Sequence, residues 1–221
     1  MKKRLDADKV GVDAEASHLP TLVEFNTLDK YRARLCDVVK TTPNVLLHFD
    51  EPIKLASGDS SRDFIDGKLA VEDPDNFRIA GEAMLRAAQD AGAEFEAVGG
   101  LLVGAAPFTF AVSTVGHKRW FLVRKAAKGR GTNRKTEGAP LTKGMSVMIV
   151  DDVVTSGGSI REACEHVESE GAKVVFATTL VDRGNLARAY FESRGIPYDP
   201  ILTYNDLNIE PVGGSQHAEA V

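Results

Sequence analysis

Apolar residues recur at helical spacing through LVEFNTLDKYRARLCDVVKTT, so a helix is expected there, ending before Pro43. The next stretch, LLHFDEPIKLASGDSSRDFIDGKLAV, alternates instead and reads as two short strands joined by a turn at Ser57-Gly58-Asp59. From DPDNFRIAGEAMLRAAQDAG onward the rhythm becomes regular: an Asp-Pro start, helical spacing, then a glycine. Strands are expected at EAVGGLLVG, KRWFLVRK, SVMIVDD, KVVFATTLVD and PILTY, with helical stretches around 106 to 116, 159 to 170 and 185 to 194. That alternation predicts an α/β chain, a parallel sheet with helices on both faces. In such a sheet ligands bind beyond the carboxyl ends of the strands, where the strand order reverses. The expected organisation is a flexible tail over 1–20, an N-terminal helix and two-stranded element over 21–72, an α/β core over 73–211 and a C-terminal tail over 212–221.

Composition narrows the function classes. A formal charge of −5 and a pI near 5.6 argue against a surface built for nucleic acid. Cys36 and Cys164 are the only cysteines and stand far apart, which suggests neither a disulfide framework nor a cysteine metal site, and a reducing, cytoplasmic setting is expected. No apolar run reaches the roughly 18 residues of a membrane span, and the start MKKRLDADKVGVDAEASH lacks the apolar stretch of a signal peptide. The five histidines and Trp120 form no ligand-spaced cluster.

Candidate chemistry concentrates at VMIVDDVVTSGGS, residues 147 to 159. Asp151 and Asp152 end the most uniformly apolar strand, where carboxylates can accept hydrogen bonds from a sugar diol or hold a divalent cation through water. Thr155, Ser156, Gly157, Gly158 and Ser159 follow, small and hydroxylic, immediately before a helix whose first amides suit a phosphate dianion. The plainer alternative is that Asp152 and the serines only cap that helix. Neither G-x-G-x-x-G after a strand nor G-x-x-x-x-G-K-[ST] occurs. The apolar run, the acidic pair, two apolar residues and Thr-Ser-Gly-Gly-Ser together resemble the signature of the type I phosphoribosyltransferases. That resemblance implies binding of the ribose 5-phosphate part of phosphoribosyl pyrophosphate (PRPP), and the family's parallel sheet with a small N-terminal hood over residues 21–72.

The dense cluster of positive charge, FLVRKAAKGRGTNRKTEG, holds Arg124, Lys125, Lys128, Arg130, Arg134 and Lys135 among glycines, and reads as a mobile loop. A charge run can be simply a solvated face. Here it follows a strand of the same sheet, and a departing pyrophosphate needs cations that close over it. The loop resembles the Arg-Lys-x-x-Lys-x-His-Gly of the orotate phosphoribosyltransferases, with Arg124, Lys125, Lys128 and Gly131 matching and Arg130 where the family has histidine. By that resemblance Lys128 contacts pyrophosphate at the transition state, Arg124 and Lys125 hold the diphosphate, and the loop is shared between the subunits of a homodimer. Arginine keeps the charge at 130 without a proton to give at neutral pH.

Three further segments carry the likeness. VGGLLVGAAP resembles the pyrophosphate loop, with Gly104 in register and Ala105 where a second glycine is usual. IKLASGDSSRDFID resembles the hood over the base, with Lys54 and Phe64 matching and Asp59 where arginine is common. VDRG brings Arg183 to the place where the family meets the orotate carboxylate, a task suited to an arginine fork. Each match alone also fits a core or surface role. Together they imply transfer of the phosphoribosyl group of PRPP to a planar base, orotate before others. Mg2+ would be the cofactor, held mainly by substrate and water rather than by protein ligands, and neither nucleic acid nor membrane is an expected partner. A paralogue acting on another base, and a non-catalytic PRPP or nucleotide sensor, are the alternatives.

Overall fold

The computed structural model describes residues 25–55, 57–126 and 134–213. Both expected tails, apart from residues 212 and 213, lie outside the described residues, as do Lys128 and Arg130.

Helix α1 (Leu28–Thr41) buries Leu28, Tyr31, Leu35, Val38 and Val39, a stripe three and four residues apart. It packs against α2 (Pro74–Asp90). Strands β1 (Leu46–Lys54) and β2 (Ser60–Ile65) pair antiparallel as a separate two-stranded sheet, with Leu46 opposite Ile65 and Lys54 opposite Ser60. The turn between them closes as expected: Gly58 has φ 90°, and Ser57 Oγ donates to Asp59 Oδ2 at 2.7 Å. Along β2 burial alternates strictly, so Ser61, Asp63 and Ile65 face inward while Phe64 faces out.

The main sheet has six strands in the order β5-β4-β3-β6-β7-β8. β3 (Ala97–Leu101), β4 (Arg119–Val123), β6 (Ser146–Val154), β7 (Lys173–Asp182) and β8 (Leu202–Thr203) are parallel neighbours. The expected parallel sheet with helices is present, with one short edge strand added: β5 (Thr136–Gly138) runs antiparallel to β4, so the sheet is parallel-dominated. Three residues at an edge carry too little periodicity to be seen as a strand, and TEG looked like the close of a loop.

Period-two alternation fills both faces. Met148 and Val150 of β6 join Ala80, Met84 and Phe108 from α2 and α3 (Ala106–Gly116) in one apolar cluster. Val147 and Ile149 join Ile160, Ala163 and Val167 of α4 (Gly158–Ser169) and Ala187 of α5 (Leu186–Glu192) in another. The chain ends its described part in a single turn, α6 (Tyr204–Leu207), beside α1.

The topology fixes where a ligand can go. From β3 the chain moves outward to β4, whereas β6 lies on the other side of β3 and leads to β7 and β8. The order reverses between β3 and β6, and the crevice opens beyond their carboxyl ends.

Helix α2 shows how local chemistry sets an element. Asp73 accepts hydrogen bonds from the amides of Asp75 (2.9 Å) and Asn76 (3.2 Å), and Pro74 occupies the first turn, where its missing N–H costs nothing. Asp73→Ala is expected to lower unfolding free energy by about 1 kcal/mol, read from the midpoint of a urea transition at unchanged slope.

Candidate active site

Beyond the ends of β3 and β6 lies a cavity of about 550 Å³. Its floor is the acidic pair and the TSGGS turn, and its far wall is Leu55, Ser57, Phe64 and Lys68 from the hood. Lys125 and Glu162 also border it, and Arg183 closes it below.

Asp151 and Asp152 leave the strand on opposite faces by strand alternation, and their environments differ accordingly. Asp151 is buried at 4% exposure. Burial, and then the charge of Asp152, push its carboxyl well above the usual carboxylate range. One of its oxygens accepts from the backbone N–H of Asp152 at 3.1 Å. Asp152 is more open, and its Oδ2 lies 3.6 Å from the ammonium of Lys68. Its backbone carbonyl accepts from Thr179 Oγ1 at 2.8 Å, which fixes the strand end against β7. Two like charges side by side are eased because burial favours the neutral form of one carboxyl and the other has a cation across from it.

The turn from β6 leads directly into α4. Gly157 adopts φ 77°, which turns the chain into α4, and no side chain caps that helix. The capping alternative for Asp152 and the serines therefore fails, and the first-turn amides, with the helix dipole behind them, are left for an anion. Thr155, Ser156, Gly158 and Ser159 border the cavity beside them.

Gly104 and Ala105 sit in the loop after β3. A Cβ on Gly104 would lie 2.4 Å from Asp152 Oδ1, so a larger residue there would press the Asp152 carboxylate aside. Ala105 is fully buried, and a Cβ on Gly100 would lie 2.6 Å from the Ala105 Cβ, so the methyl group packs over β3.

Arg183 is almost completely buried, at 1% exposure. Nη1 donates to the Asp63 carbonyl at 2.7 Å, and Nη2 to Ser61 Oγ at 2.9 Å and the Glu210 carbonyl at 3.4 Å, while Nε has no acceptor among the described residues. Burial lowers its pKa from the ordinary arginine value, against the opposing pull of Asp63. Asp182 beside it is held by the amide of Gly184 at 3.0 Å and the hydroxyl of Tyr198 at 2.9 Å.

The structure thus brings Asp151, Asp152, residues 155–159, Lys125, Phe64 and Arg183 to one cavity. It leaves Lys54 exposed on β1, and pairs Arg124 with Glu137 of β5 at 2.8 Å, away from the cavity lining. Neighbouring positions at a strand end point oppositely, so Arg124 and Lys125 do not share a direction. Asp59 is engaged with Ser57 and is not in the lining. Sequence reasoning missed Lys68 and Ser61. The available signal was their place beside the hood segment, on an inward position of β2 and directly after it.

A model of the phosphoribosyl transferase domain matches residues 70–190, more than half of the chain. The orotate phosphoribosyltransferase of Rhodopirellula baltica is 34% identical over 166 residues, covering 71% of this chain and 86% of that protein. The chain belongs to the phosphoribosyltransferase family, and within it to the orotate phosphoribosyltransferases. One crystal structure of the Mycobacterium tuberculosis orotate phosphoribosyltransferase superposes with a TM-score of 0.67 at 30% identity, covering 81% of this chain and 99% of that one. Another, of the same enzyme in complex with PRPP, gives 0.62 at 27% identity, covering 80% and 92%. In this phosphoribosyltransferase the matched segment runs from the hood's end through the cradle to α5, so it contains the acidic pair, the Gly104 loop and Arg183.

The state of Asp151 has a measurable consequence. The folded chain binds its proton more tightly than the unfolded chain, so the group costs stability as pH rises from the ordinary carboxylate range toward its raised value. Asp151→Asn, which keeps the acceptor for the Asp152 amide, is expected to melt several degrees above the parent near pH 8. The difference should vanish below about pH 4, where the carboxyl is protonated in both states. Calorimetry across that range checks it.

Proposed function

We propose that this protein is an enzyme that transfers the phosphoribosyl group of PRPP to a ring nitrogen of orotate, giving orotidine 5'-monophosphate and pyrophosphate. The observation that carries the reading is the cavity at the β3/β6 reversal. There a diol-accepting carboxylate, an uncapped helix N-terminus and a buried guanidinium stand around one space of about 550 Å³.

In this reading the 5-phosphate sits on the amides at Gly158 and Ser159 with the hydroxyls of Thr155 and Ser156 beside it. Asp152 accepts from the ribose hydroxyls. As the bond from C1 to the diphosphate breaks, the ribose ring gains positive charge, which the ionised Asp152 favours electrostatically. Burial favours the neutral form of Asp151, which lessens the repulsion that a second carboxylate would exert on PRPP. The electron pair of the broken bond leaves with pyrophosphate, met by Lys125 and, by the family pattern, by Lys128, with Arg130 standing where the family has histidine. Orotate nitrogen, its proton already given up to solvent, then bonds to C1. Its acidity removes the need for a strong general base.

Phe64 offers a flat apolar surface to the base from the hood, and Arg183 reads the orotate carboxylate. The unmatched Nε of Arg183 and the neutral acceptors around its other nitrogens support this: a buried guanidinium gains most from an anion. Among the described residues no group of three or more His, Cys, Asp or Glu side chains converges as a metal site. The hard oxygens of Asp152 beside a diol suit Mg2+ held through substrate and water, and that ion would offset charge on the diphosphate. We also place the enzyme in the cytoplasm as a homodimer that shares the basic loop. No helix among the described residues is long and apolar enough to cross a membrane.

The test is pyrophosphate release from PRPP with Mg2+ and a panel of bases. Each charge-assisted hydrogen bond to a carboxylate is worth about 1.5 to 3 kcal/mol, so kcat/KM for orotate should exceed that for uracil at least tenfold. Arg183→Lys, which keeps the charge but not the fork, should bring that ratio down toward one. A ratio near one in the parent would remove orotate as the substrate and leave PRPP chemistry standing.

Asp152→Asn tests the ribose end. It keeps the side chain's shape, so it should lower kcat by more than tenfold with little change in melting temperature. An unchanged kcat would take the acidic pair out of the chemistry.

A further inference from the structure

The segment that follows β2 is seated directly on the acidic pair. A Cβ on Gly67 would come within 3.0 Å of Asp152 Cβ and 3.1 Å of Val153 Cγ2, so the backbone at 67 already lies as close to β6 as a residue there can. The next residue, Lys68, reaches into the cavity, where its ammonium lies 2.9 Å from Asp66 Oδ1 and 3.6 Å from Asp152 Oδ2. Asp66 is itself fixed: its Oδ1 accepts from the amides of Lys68 (3.1 Å) and Leu69 (3.3 Å). Lys68 is therefore held at one end by a locked carboxylate and aims its charge at the other. On its second side Asp152 meets the Gly104 loop, where a Cβ at 104 would come within 2.4 Å of Oδ1. The carboxylate is bracketed between two backbone segments and one cation.

From this geometry we infer that Lys68 is a positioning residue for the reaction, holding the Asp152 carboxylate in its direction toward the ribose while charge develops at C1. The inference rests on the PRPP reading above and adds to it a residue from outside the signature, contributed by the junction of hood and core. A cation fixed before the substrate arrives costs no reorganisation during the reaction. Because Asp152 is asked to act mainly as the ring becomes positive, loss of its holder should weaken the transition state more than the ground state.

The experiment measures kcat with saturating orotate, and PRPP affinity by calorimetry, in the parent, Lys68→Met, Lys68→Arg and Asp66→Asn. Lys68→Met keeps the length and removes the charge. It is expected to lower kcat at least tenfold while PRPP affinity changes less than threefold. Lys68→Arg should return kcat to within about threefold of the parent, because the charge is restored. Asp66→Asn retains the acceptor for the two amides and weakens the hold on the ammonium, so it should lower kcat in the same sense. It decides the matter should Lys68→Met fail to fold. Parent-like kcat in Lys68→Met, or a loss confined to PRPP affinity, would overturn the assignment, as would an arginine variant as impaired as the methionine one. A parent inert with PRPP and every base would instead sink the proposed function, and the Lys68 role with it.

Discussion

Two adjacent carboxylates at the end of a buried strand repel one another and resist leaving water, and the architecture around them is arranged by the need to make that tolerable. Asp151 is enclosed, which pushes its carboxyl well above the usual carboxylate range, whereas Asp152 is more open and has Lys68 across from it. The backbones that approach Asp152 do so at Gly104 and Gly67, where a Cβ would come within 2.4 Å of its Oδ1 and 3.0 Å of its Cβ. The sheet contributes the location: β6 adjoins β3 where the strand order reverses, so the crevice already exists before any side chain is considered. A single charged oxygen pair with fixed neighbours then stands where a ribose would lie, beside helix amides that no side chain occupies.

The second dependence is between hood and core. β2 turns two polar residues inward, Ser61 and Asp63, a pattern that would be costly against an apolar face. Arg183 makes it possible by donating to the Ser61 hydroxyl and the Asp63 carbonyl, while His48 Nδ1 lies 2.8 Å from the Asp63 carboxylate. The same guanidinium reaches the Glu210 carbonyl near the end of the described chain. One buried side chain therefore joins three parts of the molecule around the base side of the cavity. In the proposed reading a ligand carboxylate would meet here a charge whose hydrogen-bond acceptors are neutral oxygens, so one group would serve both the base and the closure of the hood.

The legible parts of the site were those whose chemistry is local in sequence. Asp151, Asp152 and the turn to Ser159 lie within nine residues, and strand, acid, glycine and helix follow one another in the order in which they act. The core strands were readable from apolar runs, and the two-stranded hood from alternation and the Gly58 turn. Illegible parts depended on distant pairings. Arg183 was placed at a strand end, but its partners on β2 lie about 120 residues away. Lys68 had nothing beside it in sequence to suggest Asp152, 84 residues later, as its partner. Arg124 and Lys125 looked equivalent as charges, and only the pairing of β5 with β4 shows that Glu137 takes the first while the second borders the cavity.

The central claim is that PRPP binds across the ends of β3 and β6, with Asp152 at the ribose and the α4 amides at the 5-phosphate. A rival anion location exists in the cavity of about 490 Å³ beside β5 and α4, where Arg134, Lys135 and His166 gather. A crystal structure of the protein with PRPP and Mg2+ separates the two most directly. The account predicts the 5-phosphate within hydrogen-bond distance of the amides of Gly158 and Ser159 and the ribose hydroxyls on Asp152. PRPP seated against Arg134 and Lys135, with the acidic pair untouched, would contradict it.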